Sequence, residues 1–241
     1  MREYSYDFHV HSCLSPCGDN EMTPQNIVAM ALLAECEILA ITDHNSCGNA
    51  SAVMEAAEDT ELLVLAGMEL CVSEEAHVVC LFDTIKAAMA FDSYVHEHSL
   101  KIKNRPEIFG EQRLCDSKDR VLGLYENLLI NAADIGLNQV IPLVSKLGGC
   151  AFPAHVDRSS YSVIASLGTI PPEANFTASE LSSAADAEEF IKNHKDLSDM
   201  LILRNSDAHC LEDLAGEKHK IPLKEKSARA VINRISAACS L

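Results

Sequence analysis

The chain has 241 residues, 48% of them hydrophobic, with a formal net charge of −17. That is enough apolar material for one sizeable α/β unit. The acidic balance argues against a general binder of nucleic-acid backbones or anionic membranes, which demand basic surface. A small phosphorylated substrate stays open, because bound cations reverse the field locally.

Tyr4-Ser5-Tyr6 opens as a strand, and alternation through Phe8 and Val10 carries it on to Asp7-Phe8-His9-Val10-His11. In an extended segment His9 and His11 project to one face, about 7 Å apart, where they can converge on a metal ion. The alternative is a pair of histidines that bond locally at a strand end. A turn-rich loop over 12–22 leads to Thr23-Pro24, an N-cap followed by proline at the first helical position. The strand 37–41 ends in Thr42-Asp43-His44, a helix follows at 49–59, and the apolar run 62–66 ends in Gly67-Met68-Glu69. This strand, polar tip, helix rhythm predicts a parallel α/β sheet or barrel.

A strand over 76–82 starts near His77, and a helix is predicted over 84–98. Residues 100–137 break the rhythm, with a hairpin around Asp116–Arg120, and read as an insertion that could cover a site. The rhythm then resumes with a helix at 138–147 and a strand at 150–153, tipped by Ala154-His155. A helix at 159–167, a strand at 178–181, a helix at 186–194 and a strand at 200–203 follow, the last ending in Asp207-Ala208-His209. A final helix is predicted over 223–238.

Ten cysteines in so core-rich a chain suit free, buried thiols in a reducing compartment. No secretory signal is expected ahead of Asp7 and no apolar run approaches membrane-spanning length, so the expected location is cytoplasmic. Cys13 and Cys17 are spaced C-x-x-x-C, but no second pair completes a four-cysteine zinc set.

His9, His11, Asp43, His44, Glu69, His155, Asp207 and His209 all fall just past the carboxyl ends of predicted strands, the edge where parallel α/β proteins build active sites. His77 is the exception, at a strand's start. Imidazole mixed with carboxylate is a ligand set for zinc, manganese or iron. D-F-H-V-H at 7–11, T-D-H at 42–44, G-M-E at 67–69, P-A-H at 153–155 and S-D-A-H at 206–209 resemble, in order, the motifs of the PHP (polymerase and histidinol phosphatase) superfamily.

The resemblance implies a distorted (β/α)7 barrel over 1–241 carrying two or three divalent metals. His9, His11, Glu69 and Asp207 would hold one ion; Asp19, His44 and His209 a second; Glu69, His77 and His155 a third. Asp19 is chosen by counting back from Thr23-Pro24, while counting forward from His11 leaves Cys17 as the alternative loop ligand. Asp43 would orient an imidazole from behind. Glu69, His209 and Arg158 are the candidates for a direct part in catalysis, although Arg158 could instead pair with Asp157. Arg204 reads as a structural ion-pair partner, and His96, His98, His194 and His219 as surface residues. The expected activity is metal-dependent hydrolysis of a small phosphorylated metabolite or nucleotide, with no membrane or long nucleic-acid partner. An end-acting hydrolase of short oligonucleotides and a non-catalytic, metal-stabilised module are the alternatives. Oligomeric state cannot be read from the chain.

Overall fold

The computed structural model describes residues 1–183, 185–216 and 218–237. In chain order the elements are β1 (Arg2–Val10), α1 (Pro24–Leu33), β2 (Ile38–Ile41), α2 (Ala50–Ala56), β3 (Leu63–Cys71), β4 (His77–Phe82) and α3 (Ile85–Glu97). Then come α4 (Pro106–Phe109), β5 (Arg113–Cys115), β6 (Val121–Leu124), α5 (Leu137–Lys146), β7 (Cys150–Pro153) and α6 (Val163–Leu167). The chain continues with β8 (Ala178–Ser182), α7 (Ala187–Asn193), β9 (Leu201–Asn205), α8 (Leu211–Leu214), β10 (His219–Leu223) and α9 (Ala228–Ser236).

Six strands form one sheet in the order β10-β1-β2-β3-β4-β7, while β8 and β9 form a parallel pair. The α/β class is as expected. A uniform ring of parallel strands is not what the ladders show. β1, β2 and β3 run parallel, but β4 is antiparallel to both β3 and β7. The reason is the length of the β3–β4 connection, closed by the Val72 N–H donating to the Ala76 carbonyl at 2.9 Å. A parallel crossover needs a dozen or more residues. The reversal also accounts for His77, because the start of β4 lies at the same sheet edge as the ends of β3 and β7: Cys71 pairs with His77, and Val78 with Pro153.

The strands alternate between two packed clusters. Ile38, Ala40, Leu65, Val79, Leu81, Phe152, Ala178 and Leu203 meet on the inner side, closed by Val231, Ile232 and Ile235 of α9. Leu39, Ile41, Val64, Ala66, Val78 and Cys80 face the outer layer, packed with α1, α2, α3 and α5. The β1–β2 register slips by one residue, since Asp7 pairs with Leu39 but Val10 with Ile41. Such a bulge reverses a strand's alternation. Tyr6 and Phe8 join the inner cluster while Val10 joins the outer one, so the simple alternation predicted through Phe8 and Val10 does not hold.

Two other expectations shift. Residues 219–223 form a strand antiparallel to β1 that was not predicted, and the last helix, expected from 223, starts only at Ala228 and runs to Ser236; the expected end at 238 lies outside the described residues. Only Val163–Leu167 of the predicted 159–167 helix is helical. The predicted hairpin in the insertion is present as β5–β6. Asn49 ties it to the loop after β1, with its side chain donating to the Arg113 carbonyl at 2.9 Å and to Ser12 Oγ at 3.0 Å.

Phe152 is fully buried in the inner cluster. Phe152→Ala is expected to lower unfolding free energy by about 3–5 kcal/mol in urea titration; a loss under about 1 kcal/mol would show that this cluster is not the core.

Candidate metal centre

One sheet edge supplies the whole constellation. β1 brings His9 and His11 to the inner side once the bulge has switched its alternation. His44 follows β2 and makes a parallel bridge to Glu69 near the end of β3, while His77 opens β4. His155 follows β7 and Asp207 follows β9, and both take left-handed backbone conformations, with φ of 30° and 51°. Such angles are uncommon for residues with a Cβ and are held only where the surroundings demand them.

Glu69 sits at the centre, 1% exposed. Its Oε1 lies 3.1 Å from His9 Nε2, 2.9 Å from His77 Nδ1 and 3.2 Å from His155 Nε2. Its Oε2 lies 2.8 Å from His44 Nδ1 and 3.4 Å from His11 Nε2. Asp207 Oδ1 approaches His9 Nε2 at 3.3 Å and His11 Nε2 at 3.1 Å. Among the described residues, three overlapping groups have ligand atoms within 4.8 Å of one another: His9, His11, Glu69 and Asp207; His11, His44 and His209; and His44, Glu69 and His77.

The PHP domain model matches residues 7–235. The chain belongs to the PHP family. The matched span takes in every motif on which the resemblance rested, from 7–11 to 206–209. Among solved structures, the lesion-specific endonuclease Q of Pyrococcus furiosus superposes with a TM-score of 0.75 at 17% identity, over 98% of this chain and 56% of that one. This PHP chain thus spans little more than half the length of endonuclease Q. An amidohydrolase from Chromobacterium violaceum with bound sulfate gives 0.61 at 20% identity, covering 90% and 92% of the two chains. A protein described as a candidate metal-dependent phosphoesterase from Bifidobacterium adolescentis gives 0.57 at 16% identity, covering 96% of each. At these identities the likeness is one of fold. A search of curated protein sequences finds no match.

The donor set of this PHP centre fits cations. His44 Nδ1 and His77 Nδ1 are close to Glu69, yet neither contact has hydrogen-bond geometry, and both nitrogens and Glu69 Oε2 are buried without a hydrogen-bond partner. Each such atom left bare costs about 1–3 kcal/mol, and a shared cation would satisfy several at once. Burial works against charge on Glu69, but His77, His9 and His44 hold its carboxyl well below the usual range. Burial alone would lower the His9 pKa; the carboxylates of Glu180, Asp207 and Glu69 raise it well above that of free imidazole. Burial and His209 lower that of His11 despite its bond to Asp207.

A second layer holds the rings. Glu180, fully enclosed in β8, bonds His9 Nδ1 through Oε2 at 3.0 Å, accepts from the His155 N–H at 3.2 Å and is steadied by Asn205 Nδ2 at 2.7 Å. Neither Glu180 nor Asn205 was singled out in the sequence, although a carboxylate within the apolar run 178–181 was a signal. Asp43 orients an imidazole, as expected, but through an intermediary: Ser15 Oγ donates to Asp43 at 2.7 Å and lies 2.9 Å from His11 Nδ1. With His11 Nδ1–H donating to Ser15, the Nε2 lone pair is left for the centre.

Two expectations need correction. Asp19 is exposed and absent from the gathered ligand atoms; its carboxylate accepts from the Glu21 N–H at 2.8 Å. Its backbone N–H donates to the His209 carbonyl at 2.7 Å, so Asp19 sits beside the rim while its carboxylate turns back onto its own loop. Cys17 lies nearer: partial withdrawal from water raises its thiol pKa, but bonds to His209 and His44 outweigh this and bring it to about 7. Arg204 donates to the Ser183 and Ala185 carbonyls and, among the described residues, pairs with no carboxylate. Arg158 does reach the centre, 2.6 Å from Asp207 Oδ2, because Asp157 is engaged by the backbone and hydroxyl of Ser182. His209 completes a ligand group at the rim, 30% exposed at its side chain. His96 pairs with Asp92 at 3.2 Å, away from this constellation.

Glu180→Ala should weaken Mn²⁺ or Zn²⁺ affinity by about 10–100-fold in calorimetric titration; unchanged affinity would remove Glu180 from the account. Cys17 is exposed and nucleophilic only as thiolate, so iodoacetamide should label it first among the described cysteines in metal-free protein, with a rate rising through pH 7. A rise only above about pH 8.5, as for a free thiol, would contradict the contact with the two imidazoles.

Proposed function

We propose that the chain is a metal-dependent phosphoesterase acting on a small phosphorylated metabolite or nucleotide. The observation that carries this is a buried carboxylate, Glu69, ringed by imidazoles and opening onto a cavity of about 210 Å³ that Arg158, Asp207 and His209 also line. In this reading His9, His11, Glu69 and Asp207 hold one ion, His44 and His77 share Glu69 around another with His155 beside them, and His209 joins His11 and His44. Zinc, manganese and iron all suit these donors. When bound, such ions polarise a phosphoryl oxygen and acidify water.

The chain's own groups supply the rest. Hydrolysis joins a water oxygen to phosphorus and breaks the bond to the leaving oxygen, which must gain a proton. Arg158 is 45% exposed at its side chain, so only part of its planar fork is occupied by Asp207; its remaining N–H groups are free to hold phosphoryl oxygens. His209 Nδ1 lies 2.7 Å from the Asp207 carbonyl, a contact that fixes the ring with Nε2 turned the other way.

The resemblance in fold to endonuclease Q favours a second reading, a hydrolase of short oligonucleotides; an endonuclease cuts within a strand, so the likeness does not extend to the end-acting form of that reading. The charge of −17 weighs against long nucleic acid in either case. Among the described residues no helix is long and apolar enough to cross a membrane, and the reading places the protein in the cytoplasm.

Protein stripped by chelator and reloaded with Mn²⁺, Zn²⁺ or Fe²⁺ should hydrolyse p-nitrophenyl phosphate or mono- and dinucleotides. His9→Ala and Asp207→Ala should each cut kcat/KM by more than about 100-fold. Wild type inert with every metal and ester would favour the non-catalytic module instead.

A further inference from the structure

The residues that line the cavity above the metal centre are mostly charged or imidazole-bearing, yet one wall is not. Tyr161 lines it together with Ile130 from the insertion. The tyrosine ring stacks on His77, with centroids 5.0 Å apart and an interplanar angle of 25°. One face of the ring is therefore used, while the residue as a whole remains 53% exposed. Its backbone is locked as well, since the Tyr161 carbonyl accepts from the His77 N–H at 3.0 Å and its φ is 53°. A bulky residue held in left-handed backbone, with a large aromatic surface left in water, costs stability twice. A chain needing only to support His77 could do so with a buried side chain in relaxed backbone.

We propose that Tyr161 is a one-sided stacking platform that selects phosphate esters whose leaving group carries a planar ring, of which nucleosides are the type. Arg158, three residues earlier in the same loop, lies 2.6 Å from Asp207 and takes the phosphoryl end. The ring of the ester then lies on the outer face of Tyr161, across from His77. A cavity of about 210 Å³ is below the usual range for organic ligands, about 300–1,000 Å³, so it admits one phosphoryl group and its immediate substituent while the ring stays at the mouth. Base-on-aromatic stacking tolerates any base, so the platform distinguishes planar from non-planar esters rather than one nucleobase from another.

This inference rests on the phosphoesterase reading and is tested apart from it with adenosine 5′-monophosphate and glycerol 3-phosphate on metal-loaded protein. The ratio of kcat/KM for the nucleotide to that for glycerol phosphate should favour the nucleotide in wild type. It should fall by about 5- to 150-fold in Tyr161→Leu, chiefly through KM, and be kept in Tyr161→Phe. Equal losses on both substrates would make Tyr161 a prop for His77 and overturn the proposal, as would a wild type without preference. Equilibrium binding of the same two probes separates the two claims. If wild type turns over neither ester but binds the nucleotide more tightly, and Tyr161→Leu loses that margin, stacking stands and the hydrolase reading fails. If both esters are cleaved and the leucine variant keeps the preference, the hydrolase stands and stacking fails.

Discussion

A carboxylate buried to 1% exposure with five imidazole nitrogens within 3.4 Å is the constraint on which this structure turns. Glu69 can keep its charge there only because positive charge is brought to it, and the chain brings it from four separate strands. Imidazoles give a conditional answer, since each must be protonated to help and burial opposes that. Divalent cations give an unconditional one. The bare nitrogens of His44 and His77, close to Glu69 yet outside hydrogen-bond geometry, are what such an arrangement leaves when its donors aim at ions instead of at each other.

The fold reads as the means of meeting that constraint. A β-bulge turns His9 and His11 to the inner side, a short hairpin reverses β4 so that His77 starts where Glu69 nearly ends, and left-handed residues re-aim His155 and Asp207. Each is a local departure from regular structure, and each sits within a residue or two of a ligand. The inner cluster beneath carries the stability that tolerates them, and Glu180, Asn205, Ser15 and Asp43 remove the rotational freedom of the rings.

Most of the centre was legible in the sequence because ligands cluster at strand tips and come in the order of the PHP motifs. What was hidden depended on three-dimensional relations with no local signature. Counting along 12–22 could not place Asp19 or Cys17 relative to the imidazoles, since that depends on how the chain turns at Gly18. Glu180 looks like an ordinary member of a short strand until β8 is placed beside His9 and His155. The strand His219–Leu223 contains Pro222 and charged neighbours, and forms only because β1 offers it an edge. The reversed β4 was the most recoverable miss: five residues between Cys71 and His77 are too few for a crossover.

An acidic protein that binds anionic esters needs its positive field concentrated where the chemistry is. With a formal charge of −17, Arg158 and the cations around Glu69 would supply that field. The most direct measurement is anomalous diffraction from crystals grown with manganese or zinc. The account predicts two or three peaks within coordination distance of the Glu69 carboxylate and its surrounding imidazoles. A map with no peak there, at ion concentrations that restore or fail to restore any activity alike, would contradict it.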